Sequence, residues 1–249
     1  MHKTAVIPAR YGSTRLKIKP LQIIAGKTLI HRVYEATLLA NIFDRIIIAT
    51  DHNDIFLHTQ TFNAECVMTS PDHQTGTDRI EECCRNIKTD LIVNIQGDEP
   101  FIREEPLKIL IKAFDDPNVK VASIMSAFKN QKDILDPSCV KVIVNVKSDA
   151  IYFSRSVIPF DRDHSMNFSY YKHFGVYAYR PDMLKIFVNI PISNLEQIER
   201  LEQLRLIENC YNIRMVITDY EGIGIDTPED ILKAEEIIKK LAVESIFID

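Results

Sequence analysis

Four short runs constrain the fold of this chain more than any other feature: "TAVIPA" from Thr4, "RIIIATD" from Arg45, "LIVNIQGD" from Leu91 and "VKVASIMSAF" from Val119. They are rich in Val and Ile with little polar alternation, the texture of strands covered on both faces. The segments between them carry apolar residues at helical spacing: Leu29, Ile30, Val33 and Leu38, then Ile55 to Phe62, Ile80 to Ile87 and Leu107 to Phe114. Strand followed by helix, repeated, predicts an α/β protein with a largely parallel sheet wrapped by helices.

After Pro137 the pattern changes. "VKVIVNVKSDAIYFSR" and "YYKHFGVYAYR" read as strands with no helix between them, so an antiparallel subregion is inserted at about residues 138–180. Helical spacing then returns in "SNLEQIERLEQLRLIENC", read as one helix with Ser193 as N-cap and Glu196 completing a capping box. "IRMVITDY" is a late strand. A final helix begins in "DTPEDILKAEEIIKK", where Thr227 caps, Pro228 takes the first helical position and Asp230 stands three residues after the cap. With 249 residues, the expectation is one domain, 1–249, carrying that insertion.

Composition excludes some partners. A formal net charge of -5 argues against general affinity for nucleic acid or acidic membranes, which requires a broad basic surface. No window approaches the length of a membrane span, and the start is too weakly apolar for a secretory leader, which places the expectation in the cytoplasm. Cys66, Cys83, Cys84, Cys139 and Cys210 form no CxxC pair and no zinc-like spacing with His52, His58, His73 or His173, and are read as reduced thiols.

Against this acidic background, "IPARYGSTRLKIKPL" concentrates Arg10, Arg15, Lys17 and Lys19 directly after the first strand. The carboxyl ends of parallel strands open onto a crevice, and Gly12, Ser13 and Thr14 supply a turn whose N–H groups and hydroxyls can join Arg10, Arg15 and Lys19 around phosphate oxygens. "IAGKT" is not a P-loop, because Leu21 stands where that motif needs its first Gly; it reads as a turn into the next helix. There is no GxGxxG either. In "NIQGDEP", Asp98 ends a buried strand, a place for a magnesium ligand or for an ordinary turn acid. In "GIGIDTPED", Thr227 already serves as cap, which leaves Asp226 available as a second ligand. Two carboxylates facing a polyphosphate require a cation between them. "SPDHQTGTDR" is either a loop with a helix cap at Thr77 or a site in which Gln74 and Arg79 meet a base edge or sugar.

Taken in order, "IPARYGSTRL", "KPL", "ATD", "DHQTGTDR", "VNIQGDEP", "YFSRSVIP", "KHFGVYAYR", "LEQIERLEQLRLIENC" and "GIDTPED" closely resemble the 3-deoxy-manno-octulosonate cytidylyltransferase (CMP-Kdo synthetase) family, from Met1 to about Lys240. The resemblance implies a Rossmann-like, GT-A-like nucleotidyltransferase core and a homodimer joined through the inserted subregion. It also implies a reaction of CTP with 3-deoxy-manno-octulosonate (Kdo) that gives CMP-Kdo and pyrophosphate for lipopolysaccharide assembly. A related acid sugar, 8-amino-Kdo or sialic acid, is the alternative acceptor. Carried over by position, Arg10 and Lys19 lie on the CTP phosphates with Ser13 and Arg15 in the same loop, and Gln74 and Arg79 border the nucleoside. Asp98 and Asp226 hold magnesium, and Arg155, His173, Tyr177, Glu202 and Gln203 surround the acid sugar. From the residues alone, strand packing is the favoured reading of His173 and Tyr177, and a solvated helix face that of Glu202 and Gln203. One departure stands out: many members read Pro-Gly where this chain has Lys17 and Ile18.

Overall fold

The computed structural model describes residues 1–12, 16–163 and 168–246, with side chains described up to Leu241. It has two compact units, the first built from His2–Lys88, Asn94–Glu104 and the chain from Gly222 onward, the second from Thr89–Val93 and Glu105–Glu221.

The first unit opens with β1 (Lys3–Ala9), whose Ala5, Val6 and Ile7 are fully buried. A hairpin of β2 (Ile23–Ile24) and β3 (Lys27–Thr28) follows. Its corner takes Ala25 and Gly26 through positive φ, 44° and 83°, the conformation of a tight two-residue turn. The "GKT" is thus a turn, as its sequence implies, and Thr28 goes on to cap α1 (Leu29–Leu39), its hydroxyl accepting from the His31 N–H. Leu29, Ile30 and Val33 of that helix are buried, whereas Leu38 faces solvent. Next come β4 (Arg45–Thr50), α2 (Asn53–Gln60), β5 (Glu65–Met68) and α3 (Gly76–Cys84). β4 runs parallel to both β1 and β5, with Val6 opposite Ile47 and Ile48 opposite Cys66. Thr75 caps α3 in a capping box with Asp78, and Thr77 lies buried inside the helix. The sequence reading placed the cap two residues late because either threonine precedes the apolar spacing.

β6 (Leu91–Asn94) and α4 (Glu104–Lys112) belong to the second unit except for Asn94 and Glu104. In the second unit, β7 (Val121–Ala127) is buried except at its last residue and is followed by α5 (Gln131–Leu135). β8 (Lys141–Val144), β9 (Ala150–Ser154) and β10 (Tyr171–Tyr179) then supply the antiparallel pairings that the sequence implied, β8 with β9 and β10 with β8 and β7. Helices α6 (Pro181–Asn189), α7 (Asn194–Glu199) and α8 (Leu204–Glu208) precede β11 (Arg214–Ile217), which returns parallel to β7. The chain closes in the first unit with α9 (Pro228–Ile246), whose Thr227 and Asp230 exchange the hydrogen bonds of a capping box.

The segment read as one long helix is two. Arg200 takes φ 55° in the left-handed region and breaks the run, although Ser193 and Glu196 form the expected capping box. The break turns Arg205 back onto Glu196 in a buried bidentate pair, Nε to Oε2 at 2.7 Å and Nη2 to Oε1 at 2.6 Å. Periodicity continues through the break, so the sequence pattern alone does not reveal it.

Ile18 also stands in the left-handed region, at φ 49° and ψ 46°, just before a 3-10 turn over Lys19–Leu21. The departure at that position therefore carries a cost: a β-branched residue there costs about 1–3 kcal/mol, and glycine adopts the conformation freely. Ile18→Gly is expected to stabilise the protein by about 1 kcal/mol after the extra entropy of an unfolded glycine, a rise of about 2–4 °C in a thermal melt.

Candidate active site

Within the first unit, a cavity of about 390 Å³ opens at the carboxyl end of β1. Pro8, Ala9 and Arg10 form one wall, Gln74, Thr75, Gly76 and Arg79 another, and Gln96, Gly97 and Asp98 the third, with Lys19 and Asp226 also lining it. Main-chain bonding sets this arrangement. The Ile95 N–H donates to the Val6 carbonyl at 3.0 Å, which lays the Gln96–Asp98 segment beside the end of β1. The Ile225 N–H donates to the Asp98 carbonyl at 3.0 Å, which brings Asp226 next to Asp98.

The two carboxylates share one cation. Lys19 Nζ donates to Asp98 Oδ2 at 2.6 Å and to Asp226 Oδ1 at 2.9 Å. Burial opposes the ammonium charge, but the two carboxylates outweigh it and hold the Lys19 pKa above its ordinary value. The requirement for a cation between Asp98 and Asp226 is therefore met here by a side chain. The same pair suits magnesium: both donors are oxygens, and both reach one positive centre. Among the described residues no cluster of three or more His, Cys, Asp and Glu side chains forms a closed metal cage, so two carboxylates would leave further positions to water and phosphate oxygens.

Gln74 lines the cavity and donates from Nε2 to the Asp72 carbonyl at 2.9 Å. Arg79 also lines it, yet only 2% of the residue is exposed, and its guanidinium is held by Asp51 Oδ2 at 2.9 Å and by the Thr69 hydroxyl. Sequence reasoning assigned no role to Asp51, although it sits in the quoted "ATD". Ser13 and Arg15 lie outside the described residues.

The second unit gathers His173, Tyr177 and Glu202. His173 and Tyr177 are four residues apart, too far to touch along a regular strand at about 3.3 Å per residue. β10 is bulged between Phe174 and Tyr177, so His173 pairs with Met125 and Tyr177 with Ser123, only two positions away on β7. The Tyr177 hydroxyl thereby lies 2.8 Å from His173 Nε2. The Ser123 hydroxyl supports the bulge, 3.1 Å from the Phe174 carbonyl and 2.9 Å from the Val176 carbonyl. No feature of "KHFGVYAYR" beyond its glycine signals this. Burial, with the nearby Glu202 charge, pushes the Tyr177 pKa well above its ordinary value, so the phenol keeps its proton. Gln203 is 6% exposed, and its Nε2 has no hydrogen-bond partner among the described residues. Arg155 follows β9 directly and is held by main chain at two places: its Nε donates to the Glu199 carbonyl of α7 at 2.8 Å and its Nη1 to the Pro137 carbonyl, before β8, at 3.1 Å.

Burial lowers the His173 pKa from 6.5 to about 3. A histidine whose folded pKa is depressed stabilises the fold above its unfolded value and loses that contribution as pH falls toward the folded value. Stability is therefore expected to drop by about 2 kcal/mol between neutrality and about pH 5 from this group alone. Denaturant melts of His173→Asn across that range should show a shallower acid limb; an unchanged limb would remove His173 as its source.

A crevice at strand ends, walled by Arg10 and by paired carboxylates sharing a cation, is equipment for handling a nucleoside polyphosphate. A family model described as cytidylyltransferase matches residues 4–214. The chain is 45% identical over 244 residues to the 3-deoxy-manno-octulosonate cytidylyltransferase of Bacteroides thetaiotaomicron, covering 94% of this chain and 97% of that one. It is 44% identical over 237 residues to the enzyme of the same name from Solibacter usitatus, covering 94% and 93%. A solved structure of CMP:2-keto-3-deoxy-manno-octonic acid synthetase complexed with CTP matches with a TM-score of 0.91 at 40% identity, over 96% of this chain and 99% of that one. The 4-diphosphocytidyl-2C-methyl-D-erythritol synthase of Anaerococcus prevotii shares the fold, with a TM-score of 0.64 at 16% identity over 96% and 98%. The chain belongs to the 3-deoxy-manno-octulosonate cytidylyltransferase family.

Proposed function

We propose that this chain transfers the cytidylyl group of CTP to Kdo, giving CMP-Kdo and pyrophosphate for lipopolysaccharide assembly. The observation that carries the reading is the Asp98–Lys19–Asp226 cluster at the mouth of a cavity lined by Arg10, Gln74 and Arg79, in a chain of this family. The cavity is of the size that encloses a small-molecule ligand.

In this reading Arg10 and Lys19 hold the phosphates and stabilise the charge that builds on them, while Gln74 borders the nucleoside. The sugar hydroxyl oxygen bonds to the α-phosphorus as the bond from that phosphorus to the bridging oxygen breaks. Pyrophosphate departs with the electron pair, and the hydroxyl proton passes to solvent. Asp98 and Asp226 would hold magnesium, which when bound supplies charge neutralisation at the α-phosphate. The acid sugar falls to the second unit, where Tyr177 retains its proton for donation and Gln203 Nε2 is a buried donor in want of an acceptor.

The inserted subregion is read as a homodimer face, because Ile151 is 51% exposed and Phe160 82% exposed; a monomeric mass in solution would exclude it. Among the described residues no helix is long and apolar enough to cross a membrane; work in the cytoplasm belongs to this reading through the use of CTP.

The test is pyrophosphate release with CTP and magnesium, comparing Kdo, 8-amino-Kdo and sialic acid. Release with Kdo is expected. Release with sialic acid alone would move the substrate, and silence with all three would overturn the activity.

A further inference from the structure

Asp51 directly follows β4 and bonds to the chain of two of the three walls of the nucleotide cavity without lining it. Its Oδ1 accepts from the Tyr11 N–H at 2.9 Å, and its Oδ2 accepts from Arg79 Nη2 at 2.9 Å. Tyr11 is the next residue after Arg10, and its ring stacks on His52 with centroids 3.6 Å apart and planes 17° from parallel. Arg79 belongs to α3, whose first turn, Thr75 and Gly76, forms the opposite wall. The Asp51 side chain is 14% exposed and that of Arg79 2%, so both bonds are shielded from competing water. Thr69, which takes the other guanidinium nitrogen, is itself tied to the Thr50 carbonyl by its N–H at 2.8 Å and its hydroxyl at 3.0 Å.

We propose that Asp51 is a positioning residue for cytidylyl transfer: one carboxylate fastens the phosphate loop at Tyr11 to the buried Arg79 of α3, and so sets the aim of Arg10 across the cavity. This role rests on the reading of the cavity as the CTP site. The rival account is that Asp51 merely neutralises Arg79. The two separate because the carboxylate's oxygens have different partners. Asp51→Ala alone leaves a buried guanidinium without its counter-charge, a change that unfolds many proteins for reasons unrelated to nucleotide. In an Arg79→Met background that penalty is absent, and among the described residues the side-chain bond left for Asp51 is the one to Tyr11, which still fastens the loop to the end of β4.

The measurement is the CTP dissociation constant by calorimetry without sugar, with a thermal melt of each protein. Adding Asp51→Ala to Arg79→Met is expected to weaken CTP binding about tenfold, the loss of one charge-assisted hydrogen bond, without a further fall in melting temperature. Exchange of the Tyr11 amide with solvent deuterium should accelerate in the same pair. Should Arg79→Met not fold, Asp51→Glu serves: it keeps a carboxylate for the guanidinium while lengthening the tether by one methylene, and is expected to weaken CTP binding with the melting temperature nearly held. Equal CTP affinity for Arg79→Met and the double variant, or for wild type and Asp51→Glu, overturns the positioning role. Wild-type protein that does not bind CTP overturns the nucleotide reading and this role with it, whereas the amide exchange of Tyr11 reports on the tether regardless of ligand.

Discussion

Lys19→Met is expected to lower kcat about 100- to 1000-fold at saturating CTP while raising the KM for CTP by less. The ammonium sits between Asp98 and Asp226 at 2.6 Å and 2.9 Å, with 18% of its side chain exposed. Removing a donor that meets charge building on a phosphate costs a few kcal/mol in the transition state, and the ground-state complex keeps its remaining phosphate contacts. A KM that rose as far as kcat fell would assign Lys19 to uniform binding instead. The same variant has a second readout. With the ammonium gone, the two carboxylates lose the cation they share, so the CTP-free variant is expected to bind Mn2+ more tightly than wild type, as seen by electron paramagnetic resonance. Weaker Mn2+ binding in the variant would mean that Lys19 does not occupy the cation position that the two acids create.

What the sequence disclosed, and what it withheld, divides along the range of the interactions involved. β1 and β4 are legible because Ala5 to Ile7 and Ile47 to Ala49 are buried together, and burial on both faces leaves an uninterrupted apolar run. The caps at Ser193 and Thr227 are legible because their partners, Glu196 and Asp230, lie three residues away. Features made by residues distant in sequence leave no such trace. Arg79 is a case in point: the motif "TGTDR" marks it as belonging to the nucleotide segment, and nothing local tells that its guanidinium is spoken for by Asp51, 28 residues earlier. The meeting of His173 and Tyr177 depends on a bulge against Ser123, 51 residues from Phe174. Charge balance was legible in kind though not in agent. Asp98 and Asp226 demanded a cation, and the one supplied comes from the loop whose basic residues had been reserved for phosphate.

Gly97→Ala is expected to cost about 100-fold in kcat/KM and to lower stability by about 1–3 kcal/mol. A Cβ at this glycine would stand 2.7 Å from the Pro8 carbonyl oxygen and 3.7 Å from its carbonyl carbon. That neighbour is main chain in β1, so no rotamer change relieves the clash and either β1 or the Gln96–Asp98 segment must shift. The Ile95 to Val6 hydrogen bond at 3.0 Å is strained by any such movement. Asp98 is the next residue along, and its carboxylate reaches Lys19 at 2.6 Å. A displacement of a few tenths of an ångström at Gly97 therefore arrives undiminished at the charged cluster, where geometry governs turnover. Gly224 provides the control: nothing lies within 4 Å of its Cβ position, and it stands two residues before Asp226. Gly224→Ala should leave kcat/KM within about threefold of wild type, as expected of a substitution that meets no neighbour. If the two variants lose activity equally, close packing of Gly97 on Pro8 is not what holds Asp98 in place.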